Sequence, residues 1–238
     1  MPPGRLAAYM PPMQLRAVLF DYGGTLDGAG SHWLDRFLQF YAAAGLSLPF
    51  EQFRAAFDYA TRCGYADPQA ATFDLQALVD FHVRHHLEYL HVRDTRIGAV
   101  VAAAFLAATR AAWVDSGAVL TRLRSRIALG VISNFYGNLD RILAEAGLAS
   151  LLTTVVDSTR VGLSKPDPQI FHLAVQALAC PPSEVLYVGD SFEKDIVGAH
   201  AAGLRTAWLV GAEERPCRAP ECLDVRLRRL ADVESLLE

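Results

Sequence analysis

Four apolar segments of this sequence end in a polar residue, and this pattern constrains the fold more than any other feature. The first segment, Ala17–Phe20, precedes Asp21, and the later three lead into Ser133, Asp157 and Asp190. Apolar runs that are continuous, rather than alternating with polar residues, are typical of strands covered on both faces of a parallel sheet. Because ligands bind beyond the carboxyl ends of parallel strands, the four ends predict one polar site built from separate segments.

Predicted strands and helices alternate along most of the chain. We predict strands over residues 15–20, 127–132, 152–156, 185–188 and 205–210. Apolar residues recur at helical spacing before Gly147, after Asp167 and before Gly203, and Pro168 suits the first turn of its helix. This order predicts an α/β fold with a doubly wound parallel-sheet, Rossmann-like core.

Residues 28–115 interrupt this alternation, because they show helical patterns and no convincing strand. The alanine-rich run 99–112 suits a long helix. We therefore predict an all-helical cap over 28–115, inserted after the first strand, and an α/β core formed by 14–27 and 116–238. Prolines in residues 1–13 predict a flexible N-terminal tail.

Composition and charge exclude several classes of protein. Apolar residues make up 52% of the chain, which supports a sizeable core, and a net charge of −4 provides no general attraction to nucleic acid or anionic membranes. The sequence has no run of about 18 apolar residues, so we predict no membrane span. The basic stretch 226–229 is interpreted as a solvated surface edge. We expect a cytoplasmic protein whose cysteines are free thiols, although Cys217 and Cys222 have a spacing that permits a disulfide or half a metal site.

The predicted cap contains a group of histidines. Among them His82 and His86 are four residues apart, a spacing at which two side chains of one helix can bind a metal. There is no Glu between them in a His-Glu-x-x-His arrangement, and Arg84 lies in the gap. We therefore interpret the group as a partly exposed helix face. Its members are His82, His85, His86 and His91.

Four motifs occur in order at or near the predicted strand ends. They are Asp21-Tyr-Gly-Gly-Thr25, Ile132-Ser133-Asn134, Lys165-Pro-Asp-Pro168 and Gly189-Asp190-Ser-Phe-Glu-Lys-Asp195. Together, over residues 15–210, they resemble the haloacid dehalogenase superfamily, whose members are mostly Mg²⁺-dependent phosphatases. The helical insertion between the first two motifs is similar to the helical cap type of that family.

The resemblance implies roles in phosphoryl transfer. Asp21 would attack phosphorus and form an aspartyl-phosphate. Lys165 would neutralise the phosphoryl charge, and Asp195 would hold Lys165 in place. Because a carboxylate and a phosphate repel each other, Mg²⁺ would bridge them, bound by Asp21, the Gly23 carbonyl and Asp190.

The resemblance also implies a group that binds the substrate. The Ser133 hydroxyl and the Asn134 amide would hydrogen-bond the phosphoryl oxygens, together with Lys165 and Thr25. The implied ligand is a small phosphorylated molecule. The cap selects the substrate in this family, and here it carries no diagnostic motif, nor does the sequence carry a signal for oligomeric state.

Gly23 departs from the family pattern. Most family phosphatases have an Asp at this position, which protonates the leaving oxygen and later activates water, an effect typically worth about 10²–10⁴ in rate. Asp27 or a cap residue is then the remaining source of the proton. Asp27 is also interpreted, on its position, as a cap at the start of a helix.

Three alternatives to an ordinary phosphatase follow from Gly23. The first is a weak or inactive homologue that binds a phosphorylated ligand in a regulatory role. The second, a carbon–halogen hydrolase, conflicts with Gly189-Asp190, because the dehalogenases of this family use no metal and lack that arrangement. The third, a carbon–phosphorus hydrolase, needs a cap lysine, and residues 28–115 contain none.

Overall fold

A six-stranded, all-parallel sheet forms the centre of the computed structural model, which describes residues 14–212 and 215–237. The strand order is β3-β2-β1-β4-β5-β6, so the chain winds outward from β1 in both directions. This confirms the predicted α/β fold. The tail predicted over residues 1–13 lies outside the described residues. The strands are β1 Ala17–Phe20, β2 Ala128–Ser133, β3 Thr154–Asp157, β4 Val185–Gly189, β5 Arg205–Leu209 and β6 Val225–Leu227.

Helices cover both faces of the sheet. Along β1, Leu19 packs on the side of α7, whereas Val18 and Phe20 pack on the side of α4 and α5. The α-helices are α1 Trp33–Ala43, α2 Phe50–Ala66, α3 Leu75–Tyr89, α4 Thr95–Arg124, α5 Leu139–Glu145, α6 Ser158–Val161, α7 Pro168–Leu178 and α8 Gly198–Ala201. Shorter helical turns are Tyr22–Leu26, Pro68–Thr72, Ala149–Leu151, Pro182–Glu184, Phe192–Val197, Pro220–Cys222 and Leu230–Leu237.

The local sequence determines where α7 begins. Asp167 caps the helix, its Oδ1 accepting a hydrogen bond from the Gln169 amide at 2.9 Å, and Pro168 occupies the first helical position. The apolar stripe that begins with Ile170 and Phe171 is fully buried against the sheet. The prediction of a helix after Asp167 is therefore confirmed.

The edge strand β6 was missed by the sequence interpretation, which treated residues 226–229 as a solvated surface edge. The strand has only three residues, and Leu227 is buried while Arg226 is exposed. Such a short edge strand carries too few apolar positions to show a pattern in the sequence. Before it, Cys217 and Cys222 are free thiols that pack near Trp208.

Helices α1 to α4 occupy the chain between β1 and β2, where an all-helical insertion was predicted. The last of them, α4, is 30 residues long and passes through the predicted boundary between residues 115 and 116. The division of the chain into cap and core therefore stays a prediction.

Helix α4 is also long and apolar enough to span a membrane by length and composition alone. The sequence interpretation predicted no such span, because Arg110 and Asp115 interrupt the apolar run. In the structure, α4 packs against α1, α3 and β2 and buries Phe105, Trp113 and Leu120. This packing buries one face of α4, and 39% of its most apolar 18-residue window lies inside the protein.

The predicted exposed histidine face was wrong for His82 and His86, because both side chains are fully buried. They lie among aromatic rings, with Phe37 stacked on His82 and Phe57 stacked on His86. Burial lowers the pKa of His82 to about 3, so the ring is neutral at pH 7. Its Nε2 lies 3.0 Å from the Tyr136 hydroxyl. The rings that stack on these two histidines come from α1 and α2, so the spacing within α3 could not predict their burial.

Candidate active site

The carboxyl ends of β1, β2 and β4 meet the loop before α7 at one cavity of about 490 Å³. Because β1 lies between β2 and β4 in the sheet, Asp21 is central, with Ser133 on one side and Asp190 on the other. The opposite wall comes from α1 and α2 and includes Phe57 and Tyr65. The cavity therefore joins the polar sheet edge to the aromatic side of the helical insertion.

Lys165 holds the buried carboxylates of this edge together. Its Nζ donates to Asp21 Oδ1 at 2.6 Å, to Asp195 Oδ1 at 2.6 Å and to the Tyr187 hydroxyl at 2.9 Å. An ammonium has three hydrogens, so all of them have acceptors here. Tyr187 in turn donates to the Ile132 carbonyl at 3.0 Å, which fixes the direction of its own oxygen.

The charges of this group shift one another's pKa values. Burial alone would lower the pKa of Lys165, but the attraction of Asp195 and Asp21 outweighs it and raises that pKa well above its ordinary value. Burial raises the pKa of Asp21 to about 6, against the opposing effect of Lys165. Lys165 is therefore charged at pH 7, whereas Asp21 is more basic than an ordinary carboxylate.

A third carboxylate makes this edge a fitting site for a divalent cation. Carboxylate oxygens of Asp21, Asp190 and Asp195 all lie within 4.8 Å of one another. Asp190 Oδ2 is buried and accepts no hydrogen bond from residues 14–212 and 215–237. Burial, followed by repulsion from Asp21, raises the pKa of Asp190 well above the ordinary value. When all three carboxylates are ionised, Lys165 balances one of their charges and two remain, and hard oxygen ligands are those that Mg²⁺ prefers.

The turn after β1 is shaped to admit Asp190. Gly24 has φ +90°, and a Cβ at this position would overlap the Asp190 carboxylate. Gly23, by contrast, has φ −74° and ψ 112°, which any residue can adopt, and a Cβ there would lie 3.7 Å from Trp33 Nε1. The structure therefore requires glycine at 24 but leaves room for a side chain at 23.

The other residues predicted to bind substrate lie around the cavity with protein partners. Ser133 Oγ donates to Asp21 Oδ1 at 3.0 Å. The side chain of Asn134 makes two hydrogen bonds to the backbone of Lys165, at 2.8 and 2.9 Å, and so fixes the loop that carries the lysine. The Thr25 hydroxyl, which is buried, lies 3.5 Å from Asp190 Oδ1. Ser133 and Asn134 line the cavity, and Thr25 does not.

Asp27 belongs to a buried network of hydrogen bonds and one ion pair. Its carboxylate accepts hydrogen bonds from the Gly24 amide and from Trp33 Nε1, both at 2.6 Å, and pairs with Arg36 at 3.5 Å. It is fully buried and does not line the cavity. The interpretation of Asp27 as a cap at a helix start was wrong, because His32 caps α1 instead. Asp27 ties the turn after β1 to α1.

Two residues at the site were missed by sequence reasoning. Tyr187 was counted among the apolar residues of a strand, although a fully buried tyrosine needs a partner for its hydroxyl, and that need was a signal of a polar contact. His32 lines the cavity and caps α1. A histidine just before an amphipathic segment gives no comparable signal, because its contact with the cavity depends on tertiary packing.

A family match covers most of the chain. Residues 15–203 match the family described as haloacid dehalogenase-like hydrolase. This segment contains all four motifs and the helical insertion between the first two.

Curated relatives match a shorter stretch. The chain is 39% identical over 97 residues to the phosphoserine phosphatase of Thermus thermophilus, covering 40% of this chain and 39% of that protein. It is 38% identical over 93 residues to the pyrimidine 5'-nucleotidase YjjG of Escherichia coli, covering 38% of this chain and 41% of that protein. The matched stretches span about two fifths of the length of these relatives.

Solved structures share the whole fold at low identity. A crystal structure of a dehalogenase with an intermediate complex is 19% identical, with a TM-score of 0.66 over 94% of this chain and 97% of that chain. A HAD phosphatase from Thermococcus onnurineus is 22% identical, with a TM-score of 0.58 over 94% and 98%. At these identities the likeness shows the fold and says nothing about the reaction.

Proposed function

This chain belongs to the haloacid dehalogenase-like hydrolase family, and we propose that it is a Mg²⁺-dependent phosphatase that hydrolyses a small phosphorylated molecule through an aspartyl-phosphate on Asp21. The observation that carries the proposal is the buried group of Asp21, Asp190 and Asp195 around Lys165, with its excess of two negative charges. Relatives named as a phosphoserine phosphatase and a pyrimidine 5'-nucleotidase support the same reaction class.

The two oxygens of Asp21 have different surroundings. Oδ1 accepts hydrogen bonds from both Ser133 and Lys165. Among residues 14–212 and 215–237, none donates a hydrogen bond to Oδ2. We assign Oδ2 as the nucleophilic oxygen, because its lone pairs are available and the residue lines the cavity.

The steps follow from this arrangement. Asp21 Oδ2 forms a bond to phosphorus while the bond to the leaving oxygen breaks and that oxygen keeps the electron pair. Water then attacks phosphorus, releases phosphate and regenerates Asp21. Lys165 and Ser133 already donate to protein acceptors, so each is proposed to exchange one of these contacts for a phosphoryl oxygen when substrate binds, and the Asn134 amide is proposed to bind a further oxygen. Thr25 is proposed to act at this site through its contact with Asp190.

The proposed metal ligands are Asp21, the Gly23 carbonyl and Asp190. When bound there, Mg²⁺ neutralises charge on the carboxylates and the phosphoryl group, which lowers the repulsion between nucleophile and substrate. The unpartnered Asp190 Oδ2 and the close approach of Gly24 support this ligand set.

A second candidate function is a non-catalytic protein that binds a phosphorylated ligand. It is favoured by the lack of an acid at position 23 and by Asp27, whose carboxylate is already engaged by Gly24, Trp33 and Arg36. Hydrolysis of para-nitrophenyl phosphate with Mg²⁺, and its loss on chelation, separates the two. Aryloxide departs without a proton, so the phosphatase should turn this substrate over. No Mg²⁺-dependent turnover over a broad panel of phosphates, with tight binding retained, would establish the binder.

Mg²⁺ binding should weaken as the pH falls through about 6 and should release protons. The reason is that the pKa of Asp21 is raised to about 6 and that of Asp190 is raised well above its ordinary value, so protons compete with the metal at low pH. Titration calorimetry in buffers of different ionisation enthalpy measures both effects. Asp190→Asn should abolish binding, whereas Asp115→Asn, at an exposed position of α4, should not. Unchanged affinity in Asp190→Asn would remove Asp190 from the ligand set.

Gly23→Asp should increase the hydrolysis of alkyl phosphates by about 10-fold or more, on the scale of general acid catalysis. The backbone at Gly23 accepts an aspartate without strain, because φ is −74° and the nearest atom to a Cβ is 3.7 Å away. The gain should be small for aryl phosphates, whose leaving group needs no proton. Gly23→Asn is the matched control, since it has the same shape without the acid. Equal rates for the Asp and Asn variants would show that position 23 does not limit the reaction.

A further inference from the structure

We propose that His32 donates a hydrogen bond from Nε2 to the oxygen that leaves phosphorus, an inference that rests on the phosphatase function proposed above. His32 stands where α1 begins, on the wall of the cavity that also contains Gly23 and Asp21. A residue of the helical insertion would then make the contact to the leaving oxygen that Gly23, which has no side chain, does not make.

The tautomer of His32 is set by its role as a helix cap. Nδ1 accepts a hydrogen bond from the Leu34 amide at 3.2 Å. In a neutral imidazole one nitrogen accepts and the other carries the proton, so Nε2 is the N–H donor. No residue in the described ranges 14–212 and 215–237 accepts a hydrogen bond from Nε2. The site thus contains one oriented donor without a protein acceptor.

The charge state of His32 keeps this tautomer in place. Burial lowers the pKa of His32 to about 4, and the positive charges of Lys194, Arg215 and Lys165 act in the same direction, while Asp195 opposes them. The ring is therefore neutral at pH 7. Because its only lone pair in the ring plane is used by Leu34, His32 acts as a donor and not as a base.

His32 and Gly23 line the same cavity. The nearest atoms to a Cβ on Gly23 belong to Trp33, the next residue after His32. Trp33 Nε1 already donates to Asp27 at 2.6 Å, so this second donor is occupied. Phe57 packs edge-on against His32, with ring centroids 5.9 Å apart, and restricts the orientation of the imidazole.

The step is balanced without proton transfer from His32. Asp21 Oδ2 bonds to phosphorus, the phosphorus–oxygen bond to the leaving group breaks, and the electron pair stays on the leaving oxygen. The Nε2–H hydrogen bond stabilises the negative charge that grows on this oxygen, as donors in oxyanion holes do. Water protonates the anion after it departs.

His32→Asn tests the proposal, because Asn is among the best helix caps and can keep the hydrogen bond to the Leu34 amide while removing the Nε2 donor. The substrates are para-nitrobenzyl phosphate and para-nitrophenyl phosphate, which are similar in size but differ in whether the leaving group is an alkoxide or an aryloxide. We expect kcat/KM to fall about 10- to 100-fold for the benzyl ester, near the lower range for loss of one oxyanion donor, and to change little for the phenyl ester.

A loss of the same size on both substrates, or no loss on either, would overturn the role of His32. If His32 matters only as a helix cap for folding, the loss should be equal on both substrates. The difference between the two losses therefore separates the proposed role from a structural one. Thermal unfolding checks that the variant is folded, and His32→Ser, which also caps helices well, replaces it if it is not. Failure of the phosphatase proposal is distinguishable, because it predicts that the wild-type protein hydrolyses neither ester.

Discussion

Asp21→Asn should lose at least about 10⁴-fold in kcat on para-nitrophenyl phosphate, the scale seen when the nucleophile of a covalent enzyme is removed. The amide that replaces the carboxylate cannot form the covalent bond to phosphorus. The variant should be at least as stable as the wild type without Mg²⁺, because the change removes one of three clustered carboxylates whose mutual repulsion is only partly offset by Lys165. Steady-state kinetics and thermal unfolding of the same preparation measure both effects.

Asp115→Asn is the matched control, since it makes the same change of charge at an exposed position of α4. It should leave kcat unchanged. An Asp21→Asn protein that keeps most of its Mg²⁺-dependent activity would show that another group attacks phosphorus, and the assignment of Asp21 would then be wrong.

Lys165→Met should destabilise the metal-free protein by about 3–5 kcal/mol in free energy of unfolding, the usual effect of breaking a buried ion pair. The lysine and its partners Asp21 and Asp195 are almost fully buried, so the two carboxylates would lose the cation that pairs with both of them. The effect should be largest above pH about 6, where Asp21 is ionised. Activity should also fall, by about 10²–10³, because Lys165 stabilises the phosphoryl charge. Urea unfolding and kinetics are the measurements.

The double variant Lys165→Met/Asp195→Asn separates the ion pair from simple packing. Removal of Asp195 takes away one uncompensated charge, so the double variant should recover part of the stability that Lys165→Met loses. The prediction fails if Lys165→Met is as stable as the wild type or if the effects of the two changes are additive. The ion pair between Lys165 and Asp195, at 2.6 Å, would then contribute nothing to the free energy of unfolding.

The sheet and its polar edge were predictable because their signals are local. Continuous apolar runs identify β1 to β5, and a polar residue at the end of a run identifies its place at the sheet edge. Parallel strands bring such ends to the same edge of the sheet, but the prediction that Asp157 belongs to the site was wrong, because its carboxylate caps α6 and does not line the cavity. Asp21 and Asp190 therefore converge as the sequence indicated, on neighbouring strands β1 and β4.

The remaining features depend on contacts between distant residues. Asp27 was interpreted as a helix cap from its position in the sequence. In the structure its carboxylate contacts Arg36 and Trp33 instead. The burial of His82 depends on aromatic residues of α1 and α2, and the sequence of its own helix shows only the spacing of the histidines. His32 reaches the cavity because α1 begins there. None of these contacts produces a periodic pattern in the sequence.

Trapping the covalent intermediate is the direct test of nucleophilic attack by Asp21. Wild-type protein is mixed with Mg²⁺ and a rapidly hydrolysed aryl phosphate, quenched in acid during turnover, digested and analysed by mass spectrometry. We expect one added phosphoryl group on Asp21, absent when Mg²⁺ is chelated and absent in Asp21→Asn. Turnover with no phosphoryl group on Asp21, or with the group on another residue, would contradict it.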